Sequence, residues 1–398
     1  MPERITINDR WSARRHAWAY LSRVIEGPSA PLQQLLAEDR DVEAIAYGVR
    51  RREPWIGQLL GQTAARYRTD SAAEDLLTAD RNGARLITPD DAEWPSEPLD
   101  RAFGFVGAAS DHVGRDGGRD AVAPHALWAR GGSAAELTHR AVAVVGTRAI
   151  TRYGWEVTRM LVEGLAASRW AIVSGGALGV DTVAHETALA NGTPTIVVAA
   201  CGPGRTYPAR NAALFDRIAG DGARGAVLSE YPPGVHPARH RFLTRNRLVA
   251  ALSGGTVVVE AAWRSGALNT LTWAARLGSV AMAVPGPVTG HGSLGCHERI
   301  RNGDAQLVTS AEQIRELIEP LGTVDAQAQY EFAFPPDRIQ ALSRTELKVF
   351  DATSSESRVT EDVAAEAGIT VSLAVHILVD LQQKGLVQRD GVSWRRSG

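Results

Sequence analysis

Lysine is nearly missing from this chain. The only two are Lys348 and Lys384, both near the C-terminus. No G-x-x-x-x-G-K-[ST] loop exists to neutralise β/γ-phosphates, so a P-loop ATPase is excluded. A Schiff-base lysine in the central region is excluded as well. Cysteine is equally scarce, with Cys201 and Cys296 alone. That rules out a disulfide scaffold and a four-cysteine zinc site, and it suits a cytoplasmic protein. No apolar run approaches the ~18 residues needed to span a bilayer, and MPERITINDRW lacks the apolar core of a signal peptide. No membrane association is expected. An excess of positive charge is also missing: 43 Lys+Arg against 45 Asp+Glu give a net charge of -2. A nucleic-acid partner is therefore not announced by global charge, and any basic site must be local. Neither H-E-x-x-H nor G-x-S-x-G occurs, which removes a zincin and an α/β-hydrolase. No metal and no cofactor is expected.

What is present is enough for two or three domains: 398 residues, 44% hydrophobic and 22% charged. Residues 1–83 read as short helices. Trp18, Leu21, Val24 and Ile25 make an apolar stripe that ends at Gly27-Pro28. Ala84 to Pro89 reads as a strand, and the Gly- and Asp-rich stretch 107–124 as a flexible loop. From Ala141 the pattern changes. Apolar runs at 141–146, 171–176, 195–200, 226–231, 255–262 and 279–286 alternate with amphipathic segments. That alternation predicts βαβ units and a parallel sheet covered on both faces. The fold class is thus α/β, with a Rossmann-like core over 84–322. Residues 323–336 read as a linker. Residues 337–398 read as a separate unit of three helices (339–350, 360–367, 372–384) and a hairpin with Asp390-Gly391 at its tip, a winged helix-turn-helix pattern.

In an open α/β sheet, ligands gather where strand C-terminal ends meet helix N-termini. Here those loops are Gly146-Thr147-Arg148, Ser174 to Asp181, Cys201 to Gly204, Trp263 to Thr270, and Pro285 to Gly295. All contain glycine, and several place a hydroxyl before a helix. Together they offer backbone N–H groups to phosphates; any one alone would be read as a tight turn. The second signal is the run from His236 to Arg247, with Arg239, Arg241, Arg245 and Arg247, two histidines, Phe242 and no acid. Arginines bind phosphates bidentately, and an aromatic stacks on a base. The plain alternative is a set of arginines paired with acids such as Asp181 or Glu230. Gly290 to Gly295 fits G-x-G-x-x-G, but it does not follow the first strand, so it is no dinucleotide fingerprint. Asp181 reads as a loop-orienting residue. Glu260 reads as a possible acid/base without an evident partner.

These residues resemble the DNA-processing protein A family, DprA, also called Smf. The resemblance covers most of the chain: ARLITPDDAEWP, VAVVGTR, SGGALGVDTVAH, YPARN, the segment ending TRNR, EAAWRSGALNT, VPGPV and GSLGCHERIRNGDAQLV. It implies an extended Rossmann-like core, a sterile-alpha-motif-like helical domain before it and a winged helix after it. It also implies a homodimer that binds single-stranded DNA in a positive pocket and helps load RecA recombinase in natural transformation, without being an enzyme. Arg148, with Gly146 and Thr147 before it, matches the family's G-[ST]-R signature. Arg245, Asn246 and Arg247 match its R-N-R, and Phe242 its preceding aromatic. Arg239 lies near a further basic contact, and Ser174, Gly175 and Ser293 sit in loops that approach the DNA backbone. This chain departs at Leu178, where the family has arginine, at Leu243 for proline, at His297 for asparagine and at Asp304 for alanine. The helical part also lacks a clear G-x-G hairpin. An alternative on the same core is a phosphoribohydrolase-like or nucleotide-sensing protein, suggested by SGGTVVVE at 253–260.

Overall fold

The computed structural model describes residues 11–109, 120–222, 224–319, 339 and 342–397. The expected linker over 323–336, and residues 110–119 of the expected flexible loop, lie outside them. The chain forms two compact units, residues 1–324 and 325–398.

The first unit opens with α1 (Ala13–Ile25), α2 (Ala30–Ala37), α3 (Val42–Arg51), the short α4 (Leu59–Gln62) and α5 (Ala72–Arg81). The first three helices start where a side chain satisfies an orphan amide. Ser12 accepts from Arg15 N, Ser29 from Leu32 N, and Asp41 from Glu43 and Ala44 N. Then come β1 (Ala84–Ile87), α6 (Ser96–Ala109), β2 (Leu127–Gly131), α7 (Ala134–Thr138), β3 (Ala141–Val145), α8 (Arg152–Ala167), β4 (Ala171–Ser174), α9 (Val180–Ala190) and β5 (Thr195–Ala199). The unit continues through α10 (Ala212–Gly220), β6 (Gly225–Ser229), α11 (Arg239–Ala251), β7 (Gly255–Val258), α12 (Gly266–Arg276), β8 (Val280–Ala283), α13 (Leu294–Arg301), β9 (Gln306–Leu307) and α14 (Ala311–Ile318).

One nine-stranded sheet runs through this unit in the order β1-β2-β6-β5-β4-β3-β7-β8-β9. The six expected strands are β3 to β8, and they are parallel throughout. Their side chains are mostly buried, as a sheet covered on both faces requires. Two strands were not legible. LWARG forms β2, which pairs antiparallel with β1 and with β6, and Gln306–Leu307 extends the other edge as β9. β9 is only two residues long, and Arg130 and Gly131 cut short the apolar run of β2.

One hydrophobic cluster joins the helical segment to β1 and β2 at the edge of the sheet. Trp128 of β2 is buried among Trp18, Leu21, Ile45 and Leu59 of the helices, and its Nε1 donates to Ser22 Oγ at 3.1 Å. Arginine–carboxylate pairs stitch the same junction: Arg14 to Asp90 at 2.7 Å and Arg15 to Asp91 at 2.7 Å.

Strand order fixes where a ligand can sit. From β3 the chain winds outward through β4, β5 and β6. Helix α11 then carries it back to the other side of β3, where β7 and β8 follow. The switch between β3 and β7 opens a crevice at the C-terminal ends of the strands, the standard ligand position in such sheets.

The second unit holds α15 (Arg344–Asp351), β10 (Arg358–Val359), α16 (Thr360–Ala367), α17 (Val371–Gln383), β11 (Val387–Asp390) and β12 (Ser393–Arg396). Helix α15 starts later than the sequence suggested, because Ser343 and Glu346 form a capping box there. β10 adds a third strand against β12. Val349, Leu378, Leu381 and Trp394 form its core. Among the described residues no single helix is long and apolar enough to cross a membrane.

Because the hydrophobic clusters of the first unit take in no residue of the second, a chain ending at Val324 is expected to unfold cooperatively, with near-ultraviolet circular dichroism showing fixed aromatic packing. A broad, non-cooperative melt would show that the first unit depends on the second.

Candidate nucleic-acid interface

A cavity of about 720 Å³ occupies the crevice at the switch point. Gly146 and Arg148 reach it from the end of β3, Gly175 and Ala177 from the loop after β4, Asp181 from the first turn of α9, and Arg239, Phe242, Arg245 and Asn246 from α11. Ser265, Gly266 and Thr270 wall it at the start of α12, and Tyr207 closes one side.

Its mouth is aromatic and cationic. The Arg148 guanidinium lies over the Phe242 ring, 5.7 Å from the centroid. Phe242 packs against Tyr207 with centroids 5.3 Å apart and planes at 56°. Arg148 and Arg239 are exposed, and among the described residues neither has a carboxylate partner. Guanidinium groups held this way are free to fork onto phosphate oxygens.

The floor is built differently. Arg245 is buried and donates from Nη1 to the Val198 carbonyl at the end of β5. Burial pushes its pKa down from the usual arginine value, Asp181 and Tyr231 oppose that, and nearby Arg148 adds to the lowering. The guanidinium lies across Gly175, where any Cβ would collide with it. Asp181 accepts from Ala177 N at 3.2 Å and so orients the loop, as its position suggested. Burial raises the Asp181 carboxyl pKa, while Arg245 and the loop amides counter the rise. Asn246 donates from Nδ2 to Asn269 Oδ1 at 3.1 Å.

Several expected site residues are not at the cavity. Arg247 is fully enclosed, and its Nη2 lies 2.5 Å from Glu230 Oε1 in a buried ion pair. It is a structural arginine, because a group without access to solvent offers nothing to an incoming strand. Ser174 Oγ donates to the Val144 carbonyl at 2.6 Å. Ser293 is buried against Gly286. Thr147 holds its turn, donating from N to the Glu260 carbonyl at 2.6 Å and accepting from Ala149 N at 3.2 Å. Arg241, part of the basic run, is paired with Glu26 at the end of α1, as is Arg66 at 2.8 Å. Glu260 has partners after all: Thr151 N at 3.1 Å and Thr151 Oγ1 at 3.0 Å. It therefore anchors the N-terminus of α8.

Of the four departures, Leu243 alone lines the cavity. Asp304 is neutralised by Arg299 at 3.1 Å, and His297 Nε2 lies 3.0 Å from the Gly286 carbonyl. The residue that sequence reasoning passed over is Tyr207. Its signal was an aromatic in a proline-bound loop at the sheet edge.

The family model described as DNA recombination-mediator protein A matches residues 85–319. The chain belongs to that family. A Mycobacterium tuberculosis relative carrying the name DprA is 45% identical over 383 residues, covering 95% of this chain and 93% of that protein. The Escherichia coli protein Smf is 38% identical over 248 residues, 62% of this chain and 65% of its own. The X-ray structure of DNA processing protein A from Streptococcus pneumoniae superposes with a TM-score of 0.60 at 28% identity, over 78% of this chain and 99% of that one. The range of the family model takes in β2 to β9, the switch-point loops and α11, where the cavity lies.

Two predictions separate ligand from scaffold. Arg148→Ala is expected to leave the melting temperature of the free protein nearly unchanged. Arg247→Ala strands Glu230 in the interior and is expected to cost roughly 3–5 kcal/mol. Equal melting temperatures for the two variants would refute this division. The second concerns pH. His125 is buried with both ring nitrogens lacking a partner among the described residues. Burial, then the charge of Arg247, pushes its pKa down to about 4. The unfolded chain takes up that proton near pH 6.5, so stability should fall as pH drops from about 6.5 towards 4. Thermal melts of His125→Leu across that window should show a shallower loss than wild type, and an identical slope would exclude His125 as a source.

Proposed function

We propose that this protein binds single-stranded DNA in the switch-point cavity and presents it to a RecA recombinase, in recombination and in the uptake of DNA. One observation carries the reading: unpaired Arg148 and Arg239 flank a Phe242–Tyr207 pair, above a floor where Arg245 is held in place. Cations contact the backbone, and an exposed ring face takes any unpaired base. A duplex hides its base faces, so it is the poorer ligand. Belonging to a family described as a recombination mediator supports the same direction.

The reading is non-catalytic. Glu260 is tied to Thr151, and Asp181 to its own loop, so neither carboxylate is poised for proton transfer. Action as a homodimer in the cytoplasm belongs to the same proposal. The C-terminal unit fits an accessory winged helix. The exposed surface of α17 carries Val371, Leu373, Val375 and Val379, a surface for protein rather than for the DNA major groove.

The test is a titration with single-stranded and duplex oligonucleotides against salt. The log of affinity for single strands should fall linearly with log salt, at ~0.7 per phosphate neutralised. Arg148→Ala should weaken binding by about ten- to a hundredfold. Equal affinity for duplex, or unchanged binding by Arg148→Ala, would overturn the reading. Adenine release from AMP abolished by Glu260→Gln would replace it with the phosphoribohydrolase alternative.

A further inference from the structure

We propose that Trp263 and Arg264 form a second contact for the single strand, outside the cavity and beside its mouth. The proposal rests on the single-strand reading above. After β7 the chain makes a four-residue turn closed by Ser265 N donating to the Ala262 carbonyl at 3.0 Å. Trp263 and Arg264 are its two central residues. The base of the turn is fixed on both sides. Gly295 N donates to the Ala261 carbonyl at 2.9 Å, and Ser265 Oγ caps α12 by accepting from Ala267 N at 3.3 Å. The backbone is held while the tip is bare.

Central turn positions are ordinarily filled by small or polar turn formers. Nothing in this turn calls for an indole. Trp263 is 56% exposed, more than any other described tryptophan. The other two exposed tryptophans have partners: Trp55 donates to Glu53 at 2.5 Å, and Trp155 lies under Arg159 at 4.7 Å. Among the described residues, Trp263 has no ring or hydrogen-bond partner, and Arg264 has no carboxylate. An exposed large ring beside an unpaired guanidinium matches a nucleotide, one part for the base face and one for the phosphate.

The place in the fold supplies the continuity. Ser265 and Gly266, the next residues, wall the cavity. A strand leaving the mouth on that side passes over the turn, so the contact adds to the length of strand engaged rather than to the hold on the first nucleotide.

The experiment uses the full chain and fluorescein-labelled oligothymidylates from about 3 to about 16 nucleotides, spanning the range of single-strand site sizes. With the longer oligomers, Trp263→Ala should bind about tenfold more weakly and Trp263→Phe close to wild type. With the shortest, Trp263→Ala should match wild type. Arg264→Ala should reduce the salt slope on long oligomers by about 0.7. Both variants should melt as wild type, since the replaced side chains are exposed. If Trp263→Ala binds normally at every length while Arg148→Ala is impaired, the second contact is refuted and the cavity stands. If both bind normally, the single-strand reading itself fails. An equal loss at all lengths would place Trp263 in the cavity contact and refute a separate one.

Discussion

The buried pair of Arg247 and Glu230 is the constraint on which the site depends. It joins the middle of α11 to the residue just beyond β6, with Phe103 of α6 5.9 Å from the guanidinium. Desolvating two charges is expensive, and a buried pair is weak evidence of net stability. What it does supply is position, because either charge alone in that interior is far worse than both in register. Two more arginines of the same helix act alike. Arg241 is held by Glu26 at the end of α1, and Arg245 by the Val198 carbonyl at the end of β5. Helix α11 is pinned to three separate elements by three of its four arginines. Arg239 and the ring of Phe242 remain for a ligand.

This pinning explains why a chain with a net charge of -2 can carry a cationic cavity. About half of the arginines among the described residues are paired with carboxylates, some of them between elements, as in Arg23–Asp75 at 2.5 Å and Arg85–Glu93. The field at the cavity mouth comes from Arg148 and Arg239, which have no carboxylate partner among the described residues. Counting charges along the sequence cannot distinguish the two groups.

The same limit sets how much was legible beforehand. Continuous apolar runs marked β3 to β8, and glycine loops marked the edge where the cavity lies, because both signals are local. The fate of the arginine run was not local. Arg241 meets a carboxylate 215 residues away in sequence, and Arg247 one that is 17 away. Helical spacing puts all four arginines on α11 without saying which face the interior. Trp128 shows the same point for domains. Composition marks residues 1–83 as helical, but nothing nearby reveals that a tryptophan from β2 fills their core. Resemblance to the family located the R-N-R signature, and only packing showed that its second arginine is scaffold.

Gly175 and Arg245 have a consequence for how such a site can change over generations. The guanidinium rests where a Cβ at position 175 would lie, and both residues line the cavity. A side chain at 175 displaces that guanidinium from the Val198 carbonyl, and a shortened 245 gives up the same hold. A change at either position therefore alters the seat of one cation, which couples the two. Glycine at 175 is thus a seat for a cation, since no left-handed backbone at that position calls for it.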